Sequence, residues 1–270
     1  MIYDIQKASL MKRLSAFLLD FILAFMLSVG FMLLLTNITN FDYYSNGYHN
    51  RIAEIEQAYN ISELSQKHNI TLDQFDMMTD DEKEALSSKE DMKEVVLTFE
   101  KCIATINSDS DVIHFYEMRF TLAPLIPSIG ILLASWVLDF IVPLLFKNGQ
   151  TLGKKLFSIA VMRVDGVKVS TFELFVRSIL GKYTIETMVP FLMLITLFGN
   201  APLMPLAVLL LIFLLEVVTM ITTKTNSLLH DKLASTVVVD LQSQMIFDSV
   251  RAMQEYKAKI HKEMADKADY

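Results

Sequence analysis

Long apolar stretches alternate with polar segments along this chain, and they predict where it crosses a membrane. The first stretch, residues 14–36, holds a single charge, Asp20. The second, residues 120–146, holds Asp139 as its single charge. At ~1.5 Å per residue, each is long enough for the ~30 Å hydrocarbon core of a bilayer, so each predicts a transmembrane helix. A cleaved secretory signal fits residues 14–36 less well, because the stretch is long and no small-residue cleavage site follows it.

Two further apolar stretches lie close together in the C-terminal half. The third covers residues 183–198 and is short unless residues 179–182 extend it. The fourth covers residues 203–221, and the Gly-Asn-Ala-Pro segment at 199–202 predicts a turn between the two. We therefore expect a helical hairpin. A third segment that is re-entrant or lies at the membrane interface is the alternative.

The cationic residues beside the apolar stretches predict the orientation. Residues 147–182 carry seven Lys and Arg side chains against two acidic ones, and Lys224 and Lys232 follow the fourth stretch. Because cytoplasmic loops are enriched in Lys and Arg, these segments belong in the cytoplasm. Four crossings of the cell membrane then place both termini in the cytoplasm and residues 37–119 outside the cell.

The composition becomes informative when it is divided in the same way. The 270 residues are 53% hydrophobic and 20% charged, with one cysteine and a net charge of −7. Residues 37–119 hold 17 acidic against 7 basic side chains, and the remainder of the chain carries a net charge of +3. The acidic balance argues against nucleic-acid binding, which requires a basic surface. A lone Cys102 excludes an internal disulfide.

The outer segment, 37–119, predicts an acidic domain of three or four amphipathic helices. Thr71 with Gln74 and Thr79 with Glu82 fit the capping-box pattern of a helix start. Its apolar residues recur at helical spacing: Ile52, Ile55, Tyr59, Met92, Val95, Val96, Phe99, Ile103 and Ile106. The acidic surface is most simply a solvated face, and a receptor for a cationic ligand is the alternative.

The predicted cytoplasmic segments are short. Residues 156–170 alternate around Asp165-Gly166, which favours a small hairpin, and 171–182 resemble an amphipathic helix lying along the membrane. The predicted fold class is thus an all-α multi-pass membrane protein, with about four transmembrane helices, an extracytoplasmic helical insert and a small cytoplasmic hairpin. Its predicted parts are the N-terminal flank and first span (1–36), the acidic insert (37–119), a membrane core (120–240) and a cytoplasmic C-terminal helix (241–270).

Signatures of catalysis are scarce. The sequence Gly149-Gln150-Thr151-Leu152-Gly153-Lys154-Lys155 differs from a Walker phosphate loop in its glycine spacing and in the residue after its first lysine. Such a cationic turn at the inner membrane face would instead contact lipid head groups. His230-Asp231 has no metal partners at a recognised spacing. We expect no enzymatic activity, no cofactor and no metal site.

Acidic residues within the apolar stretches are the stronger candidates for function. Asp20, Asp139, Glu186 and Glu216 fall at a similar predicted depth, roughly 6–11 Å inside the cytoplasmic boundary. No Lys or Arg accompanies them within the stretches, so a cation, a proton or a shared hydrogen bond must satisfy them. The alternative is that they are neutral and bond neighbouring helices, or that they reach the interface, which suits Glu186 best. Arg13 precedes Asp20 by two helical turns and points to a contact between the two.

Several of these residues together resemble the RDD family, named for one arginine and two aspartates. Arg13 opens the first stretch, Asp20 lies within it, and Asp231 belongs to the motif at residues 229–239. The sequence at 149–155 is similar to the family's glycine-glutamine-threonine-leucine-glycine-lysine loop. The resemblance covers about 8–36 and 120–240. It implies a multi-pass membrane protein suspected of transport, with sodium–proton exchange or accessory roles in membrane complexes attached to some members.

The leading hypothesis is a cation or proton transporter. Asp20 is the expected principal ligand and Arg13 its tuner, while Asp139 and Glu216 are supplementary ligands. The expected cytoplasmic mouth consists of Asp231 with the loop residues Gly149, Gln150, Thr151, Gly153 and Lys154. Expected partners are membrane lipids, a monovalent cation or proton, and further copies of the chain, since four spans are few for a monomeric path. The alternatives are a non-transporting scaffold or accessory subunit with an envelope protein partner, and a sensor with an acidic outer domain.

Overall fold

The computed structural model describes residues 5–146, 148–197 and 203–268, and the chain is mostly helical. It forms two compact units. The membrane unit comprises Met1–Phe31 with Ser128–Tyr270, and the acidic unit comprises Met32–Pro127. The predicted outer domain of residues 37–119 falls within the acidic unit.

Helices and strands follow one another in this order: α1 (Leu10–Ile38), α2 (Phe41–Ala58), α3 (Ile61–His68), α4 (Leu72–Asp76), α5 (Asp80–Ser87), α6 (Lys93–Ser108), α7 (Ser110–Ser135), the π-helix π1 (Trp136–Ile141), α8 (Val142–Leu145), α9 (Leu152–Leu156), β1 (Ile159–Arg163), α10 (Thr171–Phe175), the π-helix π2 (Val176–Met188), α11 (Val189–Leu197), α12 (Leu203–Thr222), α13 (Leu229–Leu233), β2 (Thr236–Asp240) and α14 (Val250–Ala268).

Three helical segments in the described ranges are long and apolar enough to cross a membrane. They are α1, the continuous segment Ser110–Leu145, and α12. They coincide with three of the four predicted spans. The third predicted span, 183–198, is divided between π2 and α11 and is not among them. The turn predicted at 199–202 lies outside the described residues.

The second span changes its helical geometry near its end. Pro143 lacks an amide hydrogen, so the carbonyl of Asp139 cannot receive the usual α-helical hydrogen bond from that position. The preceding turns form π1 instead of an α-helix, and Asp139 is buried within π1. Such local widening of a helix is often found at functional sites.

The predicted hairpin forms as a short turn with one antiparallel bridge, Met162 to Lys168, beside a two-stranded antiparallel sheet. The turn at Asp165-Gly166 does form, with Gly166 at φ 89°, and the Arg163 amide donates to the Val167 carbonyl at 2.9 Å. However, β1 pairs along its length with β2, from Ile159 opposite Asp240. The reason is that β2 offers a continuous apolar run buried on both faces, whereas after the turn Val167 and Val169 alternate with polar residues.

Both faces of this sheet are covered by small apolar clusters. One face packs against Ala8 and Ala16, and so ties the start of α1 to the sheet. The other face packs against Ile5, Leu241 and Ile246. The sheet therefore fixes the base of the first span beside the loop at 149–154.

The acidic unit confirms the predicted helical pattern. Both capping boxes are present, with Thr71 accepting from the amide of Gln74 and Thr79 from that of Glu82. All of the predicted apolar positions are buried in one cluster or packed against it. Phe75 and Phe99 meet edge to face at its centre, with ring centroids 5.3 Å apart. Burial raises the pKa of Cys102 to about 11, so the thiol is unreactive near neutral pH.

Two predicted helices differ from the expectation, one in its helical geometry and one in its starting residue. Residues 171–182 are α-helical only to Phe175, and π2 continues from Val176. The C-terminal helix begins at Val250 and not at 241, because residues before it are held by backbone hydrogen bonds to the Asp165-Gly166 turn region. There, the Lys168 amide donates to the Phe247 carbonyl at 2.9 Å.

Candidate functional site

A cavity of about 290 Å³ lies inside the membrane unit. Apolar side chains form most of its wall, and they come from α1, α10, α12 and the sheet. The titratable side chains that line it are Arg13, Asp20, Asp139, Lys154, Arg177, Lys182 and His230. With His230 counted as neutral, the two arginines and two lysines outnumber the two carboxylates.

Asp20, in the first span, forms hydrogen bonds with the loop at 149–154. One carboxylate oxygen accepts a hydrogen bond from the Thr151 hydroxyl, and the other accepts from the Gly153 amide at 2.8 Å. Thr151 also caps α9 by accepting from the Lys154 amide at 3.3 Å. A Cβ atom on Gly153 would lie 2.3 Å from the carbonyl oxygen of Ala16, so the close approach of the loop to α1 requires glycine.

The other loop residues also have structural partners. Gly149 adopts φ 59°, a left-handed conformation that favours glycine. The buried side-chain amide of Gln150 donates to the carbonyl of Ile159 at 2.8 Å, where β1 begins. The predicted loop is thus hydrogen-bonded both to Asp20 and to the start of the sheet.

Arg13 contacts Asp231 and not Asp20, which corrects the predicted tuning contact. Its guanidinium lies 3.3 Å from an Asp231 carboxylate oxygen and donates to the carbonyl of Asn226 at 2.6 Å. The reason is helix geometry: a long side chain leans toward the N-terminus of its own helix, and Asp20 lies on the C-terminal side of Arg13.

Asp231 is a fully buried anion between two arginines. Its second oxygen accepts from the Arg177 guanidinium at 2.8 Å. Burial favours the neutral acid, but the positive charges of Arg177 and Arg13, together with the hydrogen bond from the Leu228 amide, outweigh it and hold the pKa of Asp231 below its usual value. Asp231 therefore remains charged and fixes both guanidinium groups.

A second chain of polar contacts leaves Arg177 through His230. The Arg177 guanidinium lies 3.1 Å from Nε2 of His230, and Nδ1 of His230 lies 2.8 Å from both oxygens of Glu186. Because arginine has no acceptor, Nε2 must accept and the ring proton must be on Nδ1, donating to Glu186. The backbone amide of His230 adds a bond to Glu186 at 2.9 Å. A Cβ atom on Gly181 would lie 2.6 Å from the Cβ of His230, so glycine allows this approach.

Glu216, on α12, is the last residue of this series of polar contacts. One of its oxygens accepts from the Leu229 amide at 3.3 Å, and its carboxyl group lies beside that of Glu186. Its other oxygen, Oε1, is buried and has no hydrogen-bond partner among the described residues. Glu186 and Glu216 thus form a carboxyl pair with one unsatisfied oxygen inside the protein.

Asp139 pairs with Lys182, which corrects the expectation that no lysine or arginine accompanies the embedded acids. The Lys182 ammonium lies 2.6 Å from a carboxylate oxygen of Asp139. The two residues are distant in sequence and are joined because π2 packs beside π1. Asp139 therefore already has a counter-ion.

Lys154 is the least compensated cation at the cavity. Its ammonium lies 3.4 Å from the Thr151 hydroxyl. Burial and the nearby charge of Arg177 lower the pKa of Lys154 to about 8, although the carboxylate of Asp20 partly opposes them. At neutral pH the side chain is a cation without a carboxylate in contact among the described residues.

The comparison with known proteins identifies the family. A model of the RDD family matches residues 96–235, slightly more than half of the chain. This chain belongs to the RDD family. No curated protein and no solved structure matches it. Family membership together with the three apolar helices makes this RDD chain an integral membrane protein.

The RDD match includes the loop at 149–154 and Asp231, whereas Arg13 and Asp20 precede it. The fold brings the arginine and both aspartates to the same end of the first span. Asp20 binds the loop, and Arg13 binds Asp231. The three residues therefore hold α1, the loop and α13 together.

The three predicted ligands do not form one site. Asp20 and Asp139 line the cavity, while Glu216 lies at the end of the His230–Glu186 chain. In the part of the chain that the structure describes, no group of three or more His, Cys, Asp or Glu side chains is arranged to hold a metal ion.

Sequence reasoning missed Arg177, Lys182 and His230 as members of this site, and it gave Glu186 the least weight of the four acids. Arg177 and Lys182 were counted only as positive flanking charges. A useful signal was present for His230, because it adjoins Asp231 in the resembling motif. Their contacts cross between elements, so no spacing along the chain reveals them.

Proposed function

We propose that this RDD chain exchanges protons for a monovalent cation across the cell membrane. The observation that carries the proposal is the series of titratable groups from His230 through Glu186 to Glu216, which ends at the buried Oε1 atom of Glu216. Chains of Asp, Glu and His inside membrane proteins commonly mark proton paths. We assign the protein no enzymatic reaction and no cofactor.

Two adjacent carboxyl groups favour sharing one proton, because both cannot ionise without strong repulsion. The unsatisfied Oε1 atom of Glu216 is the atom that gains most from a proton or a cation. A proton arriving there is shared with Glu186, which also accepts from the Nδ1–H of His230. A cation that binds the same pair must displace the proton, which couples the two movements.

The roles of the predicted ligands change within this proposal. Asp20 is engaged by two donors and Asp139 by a lysine, so both serve to position the loop and π2. Asp231 holds Arg13 and Arg177 and sets the orientation of His230. The exchanging carboxylates are Glu186 and Glu216.

The proposal keeps four crossings with both termini in the cytoplasm. Support comes from the seven Lys and Arg residues within 147–182 and from the continuous helical stretch of π2 and α11. We also propose that copies of the chain associate, because four spans are few to enclose a path. A monodisperse monomer that retains transport contradicts this last point.

The test is proton flux into proteoliposomes that carry an internal pH dye, driven by sodium or potassium gradients. Glu216→Gln and Glu186→Gln are expected to abolish the flux. Glu255→Gln is the matched control, since Glu255 is exposed on α14 and contacts Arg251. Normal flux in folded Glu216→Gln protein overturns the proposal. If Asp20→Asn loses the flux while its melting temperature is unchanged, Asp20 and not the Glu186–Glu216 pair is the cation ligand.

A second candidate function is supported by α14. Val250 and Met264 are 43% and 49% exposed and belong to the predicted apolar stripe of this helix. An uncovered stripe suits a scaffold or accessory subunit that binds an envelope protein partner. Crosslinking that recovers a stoichiometric partner, with no flux in vesicles, favours this function. Val250→Glu is then expected to release the partner, while Arg251→Glu is not.

A further inference from the structure

The cavity in the membrane unit combines two kinds of surface. Its cations are Arg13, Lys154, Arg177 and Lys182, and the carboxylates that line it with them are Asp20 and Asp139. Arg13 and Arg177 both form ion pairs with Asp231, and Lys182 forms an ion pair with Asp139. Lys154 is left with a hydroxyl contact at 3.4 Å. An anion entering the cavity therefore finds an excess of positive charge.

The apolar wall argues against a small hydrophilic anion as the occupant. Leu10, Leu14 and Phe17 line the cavity, and the same three side chains are 60%, 48% and 52% exposed at the outer surface of α1. The cavity is therefore continuous with the face of a membrane-spanning helix. A hydrocarbon chain lying on that face has direct access to the charged interior.

We propose that this cavity binds an anionic phospholipid, with the phosphate-bearing head group at Lys154 and an acyl chain along Leu10, Leu14 and Phe17. Basic pockets between membrane helices commonly bind the head groups of acidic lipids. The lipid neutralises Lys154 and fills the space between α1 and π2. This inference does not depend on the proposed transport.

The lowered pKa of Lys154 supports the same assignment. The half-buried ammonium of Lys154, with a pKa of about 8, is destabilised by its surroundings, chiefly by loss of solvation and by Arg177. A bound anion relieves that cost, because it restores a partner for the charge. Asp20, which also faces Lys154, is already occupied by Thr151 and Gly153.

The test measures lipid binding to the full-length protein in a neutral detergent, by native mass spectrometry and by the shift in melting temperature. The probes are phosphatidylglycerol, phosphatidylcholine with matched acyl chains, and free glycerol phosphate. We expect phosphatidylglycerol to remain bound and to raise the melting temperature, with little effect of the other two. An equal shift from phosphatidylcholine, or from glycerol phosphate, overturns the proposal, as does no shift from any probe.

Variants locate the site. Lys154→Gln is expected to weaken phosphatidylglycerol binding about fivefold, the effect of one basic side chain at a membrane surface. Lys154→Arg should retain binding. Lys155→Gln is the matched control, because the neighbouring Lys155 lies 3.9 Å from the ring of Phe146 and does not line the cavity. Equal affinity of Lys154→Gln and Lys155→Gln contradicts the site.

Folding of Lys154→Gln is verified by its melting temperature in phosphatidylcholine, which should be no lower than that of the unsubstituted protein because a destabilised charge has been removed. If transport fails while lipid selectivity persists, the proposed function is wrong and the lipid site stands. If lipid selectivity fails while sodium–proton exchange persists, the lipid site is wrong and the proposed function stands.

Discussion

Charged side chains are buried in the membrane unit of this RDD protein, whereas none of the described residues of the acidic unit is a buried charge. The centre of the acidic unit is apolar, with Phe75 and Phe99 each 1% exposed. The membrane unit buries Asp231 completely and leaves Phe17 and Phe21 more than half exposed. Water solvates the charges of the first unit, whereas lipid solvates the apolar surface of the second. Charges in the membrane unit must therefore be satisfied by one another, which is why its polar contacts form networks.

The largest expected effect comes from breaking the network of the membrane unit at its centre. Asp231→Asn leaves Arg13 and Arg177 buried without a counter-ion, and we expect the free energy of unfolding to fall by about 3 kcal/mol. Asp248→Asn is the control, because the side chain of Asp248 is 80% exposed beside Lys168. Thermal unfolding in detergent measures both. Equal melting temperatures for the two variants contradict the view that buried charges in the membrane unit stabilise one another.

A smaller loss is expected at the contact between the loop and α1. Gly153→Ala places a Cβ atom 2.3 Å from the Ala16 carbonyl oxygen and 2.9 Å from Asp20. We expect a destabilisation of about 1–3 kcal/mol, as for other overpacked sites. Gly30→Ala, on α1 itself, is the control, since nothing lies within 4 Å of its Cβ position. If Gly153→Ala melts like Gly30→Ala, the loop is not held against α1.

The affinity for phosphatidylglycerol should depend on pH in the alkaline range. Lys154 is cationic below its pKa of about 8 and neutral above it, so binding is strongest at lower pH and weakens as pH rises through and beyond that value. The charged groups that face it are Arg177, Asp20, Lys182 and Asp139. Titration of lipid binding between roughly pH 6 and 10, a range on both sides of the lowered pKa, measures this dependence. Lys154→Arg should give a flat profile, because arginine stays charged.

The smallest effect is expected in the acidic unit. Asp109 accepts from the Arg51 guanidinium at 2.8 Å, and this hydrogen bond lowers the pKa of Asp109 to about 2. The folded-state pKa is below the unfolded one, so the contribution is present above the unfolded value of about 4 and is lost as pH falls toward 2. Asp109→Asn should remove a minor acid-dependent part of the stability. Chemical unfolding at several acidic pH values tests this, with Asp111→Asn as the control.

Local features were predicted well from the sequence. The capping boxes at Thr71 and Thr79 and the apolar positions of α6 are present in the structure, because each depends on residues within a few turns of one another. The site was predicted in part. Asp20 and Asp139 do line one cavity, but Lys182 was not recognised as the partner of Asp139. Arg13 was assigned to Asp20 because sequence spacing gives the face of a helix and not the direction in which a side chain leans.

The sequence by itself determined the apolar spans, the acidic insert between them and membership of the RDD family, since length, periodicity and motif are properties of contiguous residues. Only the tertiary structure decided which charges neutralise one another. It pairs β1 with β2, places His230 between Arg177 and Glu186, and leaves Lys154 with little compensation. The physical reason is that a buried charge is stabilised by whatever lies within a few ångströms in space, and these neighbours come from separate elements.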